Sequence, residues 1–225
     1  MARIALVGGT GGLGKALCLA WCKDNQVVIG SRRLEKAQET LNAVKQRMRE
    51  LGLSDYSSNI SASTNSEAIK NSSLIVLTLP HDVDEKFILE LAPYIQPGSV
   101  VVSPVSPFTL QGGSFQSIFR FKGGLPISFA EWVRDLLGTE RVVSTLQTFP
   151  ASRFYREGTI NCDIPVAGDD HDAVHTTMKY LSQISGVRPI YVGPLSVSLQ
   201  LELMTPLLLN VERFSRIRSP AIKLV

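Results

Sequence analysis

A doubly wound, mostly parallel α/β sheet with a smaller α-rich region behind it is the fold this sequence predicts. Three observations carry the prediction. Short, continuously apolar runs recur along the first 150 residues, as strands covered on both faces require. Segments of helical period separate them. The first such strand runs straight into GGTGGLG at residues 8–14, five glycines in seven residues. Alternating strand and helix gives parallel pairing with helices on both faces, because each crossover must return over the sheet.

In chain order, RIALV (3–7) is the first strand, LGKALCLAWCK (13–23) a helix and QVVIG (26–30) a second buried strand. Residues 34–51 form a long helix: Leu34, Leu41 and Met48 make one apolar row, with Ala37, Val44 and Leu51 beside it. SSNISAS (57–63) carries only a weak strand signal, whereas SLIVLTLP (73–80) is a strong fourth strand that Pro80 ends. DEKFILELAPYI (84–95) is helical, Pro97-Gly98 a turn and SVVVSP (99–104) the fifth strand. The pattern loosens at 106–127, where Gly112, Gly113, Gly123 and Gly124 bracket aromatics, and a long mobile loop is expected. A helix over 128–137 and the strand RVVSTLQTF (141–149), leaving through Pro150, complete a nucleotide-binding domain of residues 1–150. Residues 151–225 hold a strand (163–167), a helix (170–185), a strand (188–192) and a helix (195–215). That is too little for another nucleotide-binding sheet, so a smaller C-terminal domain packed back on the first is expected.

The chain has 225 residues, 44% hydrophobic and 19% charged, enough apolar material for a sizeable core. Its net charge of +3 is spread without a basic stripe, which argues against a nucleic-acid partner and suits a small anionic ligand. No run reaches the roughly 18 apolar residues that cross a bilayer. Lys15 and the glycines break any signal-peptide core, so no membrane partner and a cytoplasmic setting are expected. Cys18, Cys22 and Cys162 make no disulfide framework. Cys18 and Cys22 lie four apart on one helix face and are expected as small buried hydrophobes, with no metal between them.

Gly9, Gly11 and Gly14 spell G-x-G-x-x-G between a strand and a helix, the context a dinucleotide-binding turn requires. One glycine permits the tight turn, the next lets a pyrophosphate touch the backbone, and the last lets helix and strand pack closely. Free N–H groups and the positive helix end then face the diphosphate. The end of the second strand decides which dinucleotide fits. A groove for NAD places Asp or Glu there to accept from the ribose 2′-hydroxyl. Here the chain reads Gly30-Ser31-Arg32-Arg33, with Lys36 on the next helix turn. Two guanidinium groups, an ammonium and a hydroxyl favour a 2′-phosphate, and hence NADP. A solvated basic turn with Ser31 capping the helix is the plainer alternative.

The sequence resembles the NADPH:coenzyme F420 oxidoreductase family nearly end to end. The resemblance is carried by GGTGGLGKAL (8–17), VIGSRRLEKA (28–37), VLTLP (76–80), VVSP (101–104), TFPASRF (148–154) and VAGDD (166–170), and then by GVRPIYVGPLS (186–196), MTPLLLN (204–210) and IKLV (222–225). It implies a Rossmann-like fold and reversible hydride transfer between NADP and a deazaflavin, coenzyme F420. By this resemblance Thr10, Gly11, Gly12 and Leu13 hold the pyrophosphate, and Ser31, Arg32, Arg33 and Lys36 the 2′-phosphate. Ligands of such sheets lie outside the carboxyl ends of the strands. The nicotinamide is therefore expected by Leu79, Pro80 and Val83, by Ser106 and by Ala151, with Val83 and Ser106 assigned from loop position alone. The deazaflavin is expected between the domains, over Phe149 and near the Met204–Leu209 helix. Two departures would touch the acceptor ring: Gln147-Thr148-Phe149-Pro150 where relatives often carry His-Thr-Ile-Pro, and the wording of the 106–127 loop.

Hydride transfer requires no nucleophile, so no catalytic side chain and no metal is assigned. His81 follows Pro80 at the sheet edge and is the histidine nearest the expected chemistry; the plainer reading is a solvated loop residue. His171 and His175 behind Asp169, Asp170 and Asp172 suggest a metal superficially, whereas an acidic helix start meeting the macrodipole is simpler. Arg153, Arg156, Arg120 and Lys122 are either solvated or partners of the acceptor's acidic tail. The apolar MTPLLLN helix suggests a homodimer. The alternative functions are an NADPH-dependent flavin or ferric reductase and a non-catalytic NADP-sensing module.

Overall fold

The computed structural model describes residues 1–225. The strand β1 (Ala2–Val7) leads into α1 (Gly12–Trp21), followed by β2 (Asn25–Ser31), α2 (Leu34–Glu50), β3 (Ile60–Thr64) and α3 (Asn65–Ile69). Next come β4 (Leu74–Leu77), α4 (Glu85–Leu91) and β5 (Val100–Ser103). Two small hairpins intervene, β6 (Phe108–Gln111) with β7 (Ser114–Ser117) and β8 (Arg120–Lys122) with β9 (Leu125–Ile127). The chain ends with α5 (Phe129–Leu137), β10 (Val142–Thr145), α6 (Ala151–Glu157), β11 (Cys162–Gly168), α7 (His171–Ser182), β12 (Val187–Gly193) and α8 (Ser198–Ser215).

Eight strands form one sheet in the order β12-β11-β10-β5-β4-β1-β2-β3, parallel throughout except where β10 meets β11. From β1 the chain first builds outward to β2 and β3 and then crosses back to β4. Their carboxyl ends therefore splay apart at this reversal and leave a crevice. Residues 151–225 add β11 and β12 to this same sheet, with Val143, Ser144 and Thr145 opposite Gly168, Ala167 and Val166. The weak third strand forms at the edge, where Ile60 is buried against β2.

The core lies on both faces of the sheet. One cluster joins Ile4, Leu6, Val76 and Val102 to α1, α2 and α7, and the other joins Ala5, Ile75 and Val101 to α3 and α5. Completely burying one such Val, Leu or Ile contributes about 1.5–3 kcal/mol. In α2 the buried stripe is Ala37, Leu41, Val44 and Met48, while Leu34 at its start is exposed. All three cysteines are buried and free; burial pushes the Cys22 and Cys162 thiols up to about 11, consistent with small inert hydrophobes.

The expected loop at 106–127 is a correction. Gly112-Gly113 and Gly123-Gly124 each occupy the two central positions of a hairpin turn, all four at positive φ (56°, 81°, 58° and 81°). Two-residue turns of this kind match the right-handed twist of their flanking strands. The last predicted strand is also shorter than expected: the chain leaves the sheet at Leu146, which takes φ 74°.

Candidate active site: adjoining cavities at the crevice

The turn after β1 shows what its glycines do. Gly8 takes φ 71°, and its N–H donates to Asn65 Oδ1 at 3.0 Å. A Cβ on Gly9 would stand 2.8 Å from Leu6 Cβ, and one on Gly14 would stand 2.2 Å from the Gly9 carbonyl oxygen. These two serve packing between helix and strand. A Cβ on Gly11 or Gly12 would meet nothing within 4 Å, so their backbone borders open space. Gly11 starts α1 without a side-chain cap, and no acid lies in the first helical turn. The N–H groups at that end have no partner from their own helix. They are free donors for an anion.

A cavity of about 980 Å³ opens from this turn across the end of β2 to the loop after β4. Its wall includes Thr10, Ser31, Arg32, Arg33, Lys36, Asn65, Leu79, Pro80 and Val83, with Asp82 and the start of α4 opposite. Arg32 and Arg33 are exposed and form no ion pair, whereas Lys36 meets Glu39 at 2.7 Å on the surface. Such exposed pairs are weak and yield readily to a better anion. Ser31 Oγ accepts from the Arg33 N–H at 3.3 Å and does not cap α2.

A second cavity, about 380 Å³, adjoins the first at Leu79 and Pro80. It is bounded by Gly11, Gly12, Leu13, Ser106, Phe149 and Ala151. The structure thus brings all fourteen sequence-predicted binding residues to one or other of these two walls. His81 borders the second cavity too, with its ring 6.4 Å from that of Phe108.

A chain of hydrogen bonds shapes the far wall of the second cavity. Thr205 Oγ1, on α8, donates to the Gln147 carbonyl at 2.8 Å and lies 2.6 Å from Ser106 Oγ. Gln147 Nε2 in turn donates to the Ser103 carbonyl at 3.0 Å and to Ser144 Oγ at 2.9 Å. Loops after β5 and β10 are locked to α8 in this way. Past Gln147, Phe149 and Thr205 the space continues into a third cavity of about 220 Å³, lined by Leu208, Leu209, Glu212, Ser219 and Pro220.

Asn65, Thr78, Gln147 and Thr205 also line these two cavities and are outside the set of binding residues expected from sequence. Thr78 Oγ1 donates to the Val7 carbonyl at 2.9 Å, tying β4 to β1 at the crevice. Each of these is a lone polar residue whose role depends on a partner far along the chain. The departure at Gln147, the VLTLP motif around Thr78 and the expected place of the Met204–Leu209 helix pointed towards three of them, and nothing marked Asn65.

The two cations of the 106–127 segment, expected either solvated or against the acceptor's acidic tail, both have protein partners. Arg120 donates to the carbonyls of His81 (2.9 Å) and Val83 (3.4 Å), its guanidinium 4.0 Å above the Trp132 ring. It clamps the loop after β4 to the hairpin. Lys122 pairs with Asp135 at 2.6 Å. Nearby, the buried Glu202 accepts from the Phe129 and Ala130 N–H groups at 2.9 and 3.2 Å. Burial pushes its carboxyl up to about 8, against the pull of those two donors. Asp170 caps α7 through the Ala173 N–H at 2.7 Å, and Asp169 accepts from the Leu195 N–H at 2.9 Å. These acids serve the fold beside His171 and His175.

The profile of the family described as NADP oxidoreductase coenzyme F420-dependent matches residues 3–107. The F420-dependent NADP reductase of Methanocaldococcus jannaschii is 32% identical over 93% of this chain and 92% of its own length. That of Methanothermobacter marburgensis is 31% identical over 99% and 97%. The chain belongs to the F420-dependent NADP reductase family. Among solved structures, an Arthrobacter sp. FB24 protein superposes with TM-score 0.73 at 16% identity, covering both chains completely. The (S)-3-hydroxybutyryl-CoA dehydrogenase of Ralstonia eutropha gives 0.63 at 13% identity, over 86% of this chain and 64% of that one. These last two likenesses establish the doubly wound fold that this family member shares with other dehydrogenases.

Proposed function

We propose that this protein transfers a hydride reversibly between NADP(H) and the deazaflavin coenzyme F420, holding both in the continuous cleft across the first two cavities. Family membership supports the pair of coenzymes. The observation that carries the reading is the junction of those cavities at Leu79 and Pro80, one edged by unpaired Arg32 and Arg33, the other lined by Phe149, Pro104 and Val105.

The residues fit these roles. Thr10, Gly11, Gly12 and Leu13 present main-chain N–H groups to a pyrophosphate, and the open space over Gly11 and Gly12 admits one. Ser31, Arg32, Arg33 and Lys36 take the 2′-phosphate; Lys36 exchanges its surface partner for it. Leu79, Pro80, Val83, Ser106 and Ala151 border the nicotinamide, and Phe149 the deazaflavin. The two coenzyme rings supply the redox chemistry when bound. The protein's part is to align them and keep water out, which lowers the barrier by orientation. Ser106, Thr205 and Gln147 fix the wall against which the acceptor lies, and Arg120 fixes the loop beside the donor. We assign no side chain as acid or base.

A homodimer joined through α8 is part of the same reading, since Leu207 and Phe214 stand on one helix face, 61% and 67% exposed. So is a division of labour between residues 1–150, which bind NADP, and 151–225, which complete the deazaflavin site. A reducing cytoplasm suits the three unpaired thiols.

Mixing the pure protein with NADPH and either F420 or a flavin, while following nicotinamide absorbance, tests the proposal. Rapid oxidation with F420 and slow oxidation with flavin is expected. The reverse order makes the protein a flavin reductase, and binding of NADPH without oxidation by either makes it a sensor.

A further inference from the structure

We propose that Asn210 is a positioning residue for hydride transfer: through the β6–β7 hairpin it holds Phe108 in the wall of the second cavity. The inference rests on the hydride-transfer reading. It gives a role to the last residue of MTPLLLN (204–210), which lines none of the three cavities.

The hairpin has little of its own to hold it in place. Thr109, Leu110, Gln111 and Gln116 are exposed, and a Cβ on Gly112 or Gly113 at its tip would meet nothing within 4 Å. A two-stranded hairpin alone is only marginally stable in water. Beyond its own ladder, one backbone bond closes its base, from the Ile118 N–H to the Pro107 carbonyl at 3.0 Å. Phe108 sits at that base and bounds a cavity, so the hairpin needs an anchor.

Asn210 stands in for a third strand. Phe115 lies opposite Leu110, one place from the Gln111–Ser114 pair that flanks the turn. Bonded and non-bonded pairs alternate along an antiparallel ladder, so the Phe115 N–H and C=O point away from β6. Both groups meet α8 instead. The Phe115 N–H donates to Asn210 Oδ1 at 2.8 Å, and Asn210 Nδ2 donates to the Phe115 carbonyl at 2.8 Å. A carboxamide carries the same donor and acceptor as a peptide group, so the pair copies one rung of a sheet. A carboxylate has no hydrogen for the carbonyl, and an aliphatic side chain serves neither group.

From Phe115 the constraint reaches the site by contact. The Phe115 and Phe108 rings meet edge to face, their centroids 5.8 Å apart and their planes at 81°. Phe108 borders the second cavity and faces the His81 ring at 6.4 Å. His81 is fixed from its other side, where its carbonyl accepts from Arg120 at 2.9 Å. Phe108 therefore stands between a loop held by Arg120 and a hairpin held by Asn210. No residue of the hairpin lines the first cavity, so the influence of Asn210 is confined to the second. A wall already in place lowers the entropic cost of aligning two rings for transfer.

Three measurements on Asn210→Leu test the role: hydrogen exchange of the Phe115 amide, NADPH affinity by calorimetry, and steady-state kinetics with NADPH and F420. The Phe115 amide should exchange at least about tenfold faster than in the unaltered protein. With two hydrogen bonds lost, kcat/KM for F420 should fall about tenfold or more, while NADPH affinity stays within about twofold. Asn210→Asp keeps the bond to the Phe115 N–H and should lose less. Adding Asn210→Leu to Phe108→Ala should cost no more than Phe108→Ala alone, because the two act through one contact. A freed Phe115 amide with unchanged F420 kinetics overturns the role and makes Asn210 a support of the hairpin only. An equal fall in NADPH affinity, or additive losses in the double variant, also overturns it. If Asn210→Leu does not fold, Asn210→Asp and its combination with Phe108→Ala decide by the same criteria. All of these outcomes leave hydride transfer standing, whereas an unaltered protein that oxidises no NADPH with F420 removes that reading and the role of Asn210 with it.

Discussion

The first and second cavities are built in opposite ways. The cations of the first come from one stretch of chain, Ser31 to Lys36 at the end of β2 and the start of α2, with Gly8 and Thr10 of the preceding turn beside them, and the loop after β4 with the start of α4 forms the facing wall. The second draws on the loops after β1, β4, β5 and β10 and on Thr205 of α8, and no two of those contributors are consecutive elements. A contiguous site depends on local backbone geometry and carries a motif. An assembled site depends on long-range hydrogen bonds among ordinary residues and carries none.

That contrast makes distinct expectations for substitutions, of which the largest concerns the glycines. Gly14→Ala pushes a methyl group to 2.2 Å from the Gly9 carbonyl oxygen and should destabilise the fold by several kcal/mol, read as a large drop in Tm. Gly11→Val meets open space, so Tm should hold while NADP(H) affinity falls by about a hundredfold, roughly what losing two charge-assisted bonds implies. If both variants lose stability equally, the division between packing and ligand-facing glycines is wrong.

Arg32→Ala comes next. Its KM for NADPH should rise about tenfold or more, with little change for NADH, because one charge-assisted phosphate contact is lost. Equal effects on the two coenzymes would mean that the basic turn is merely solvated.

Thr205→Val tests the assembled cavity. The hydroxyl joins Ser106 to the Gln147 carbonyl, so its loss should cost about 1–2 kcal/mol of stability and raise KM for F420 several-fold while KM for NADPH stays put. A larger change for NADPH than for F420 would place the acceptor elsewhere.

The expectation that leaves ligand binding untouched is a pH dependence at Glu202. Its carboxyl is held near 8 in the fold and titrates at the ordinary carboxylate value when unfolded, so the folded protein binds the extra proton between those values. Its contribution to stability is complete at acid pH and is lost as pH rises from about 4.5 towards 8. Thermal melts should fall by roughly ten degrees over that range, and Glu202→Gln should flatten the slope. An unchanged slope would assign the dependence to other groups.

Legibility followed the same division. The strand–glycine–helix passage was readable at 3–23 because each role is dictated within a few residues, and Ser31-Arg32-Arg33 was placed at the end of β2 because the strand signal stops there. The Gly-Gly pairs at 112–113 and 123–124 carried a hairpin signal that the flanking exposed aromatics obscured. Asn65 was invisible: its bond to the Gly8 N–H spans 57 residues, and nothing near it in sequence marks an asparagine as the support of a turn.

What the sequence determined by itself was the run of strands and helices that builds the parallel sheet and the glycine-rich passage between β1 and α1, since periodicity, steric freedom and charge act over a few residues. Tertiary structure alone decided that β11 and β12 extend the same sheet, that Arg120 turns inward to carbonyls, and that Ser106, Gln147 and Thr205 meet in one wall. Those outcomes depend on which distant groups satisfy one another's hydrogen bonds once buried, and a buried polar group's partner is chosen by the packed fold and not by its neighbours in the chain.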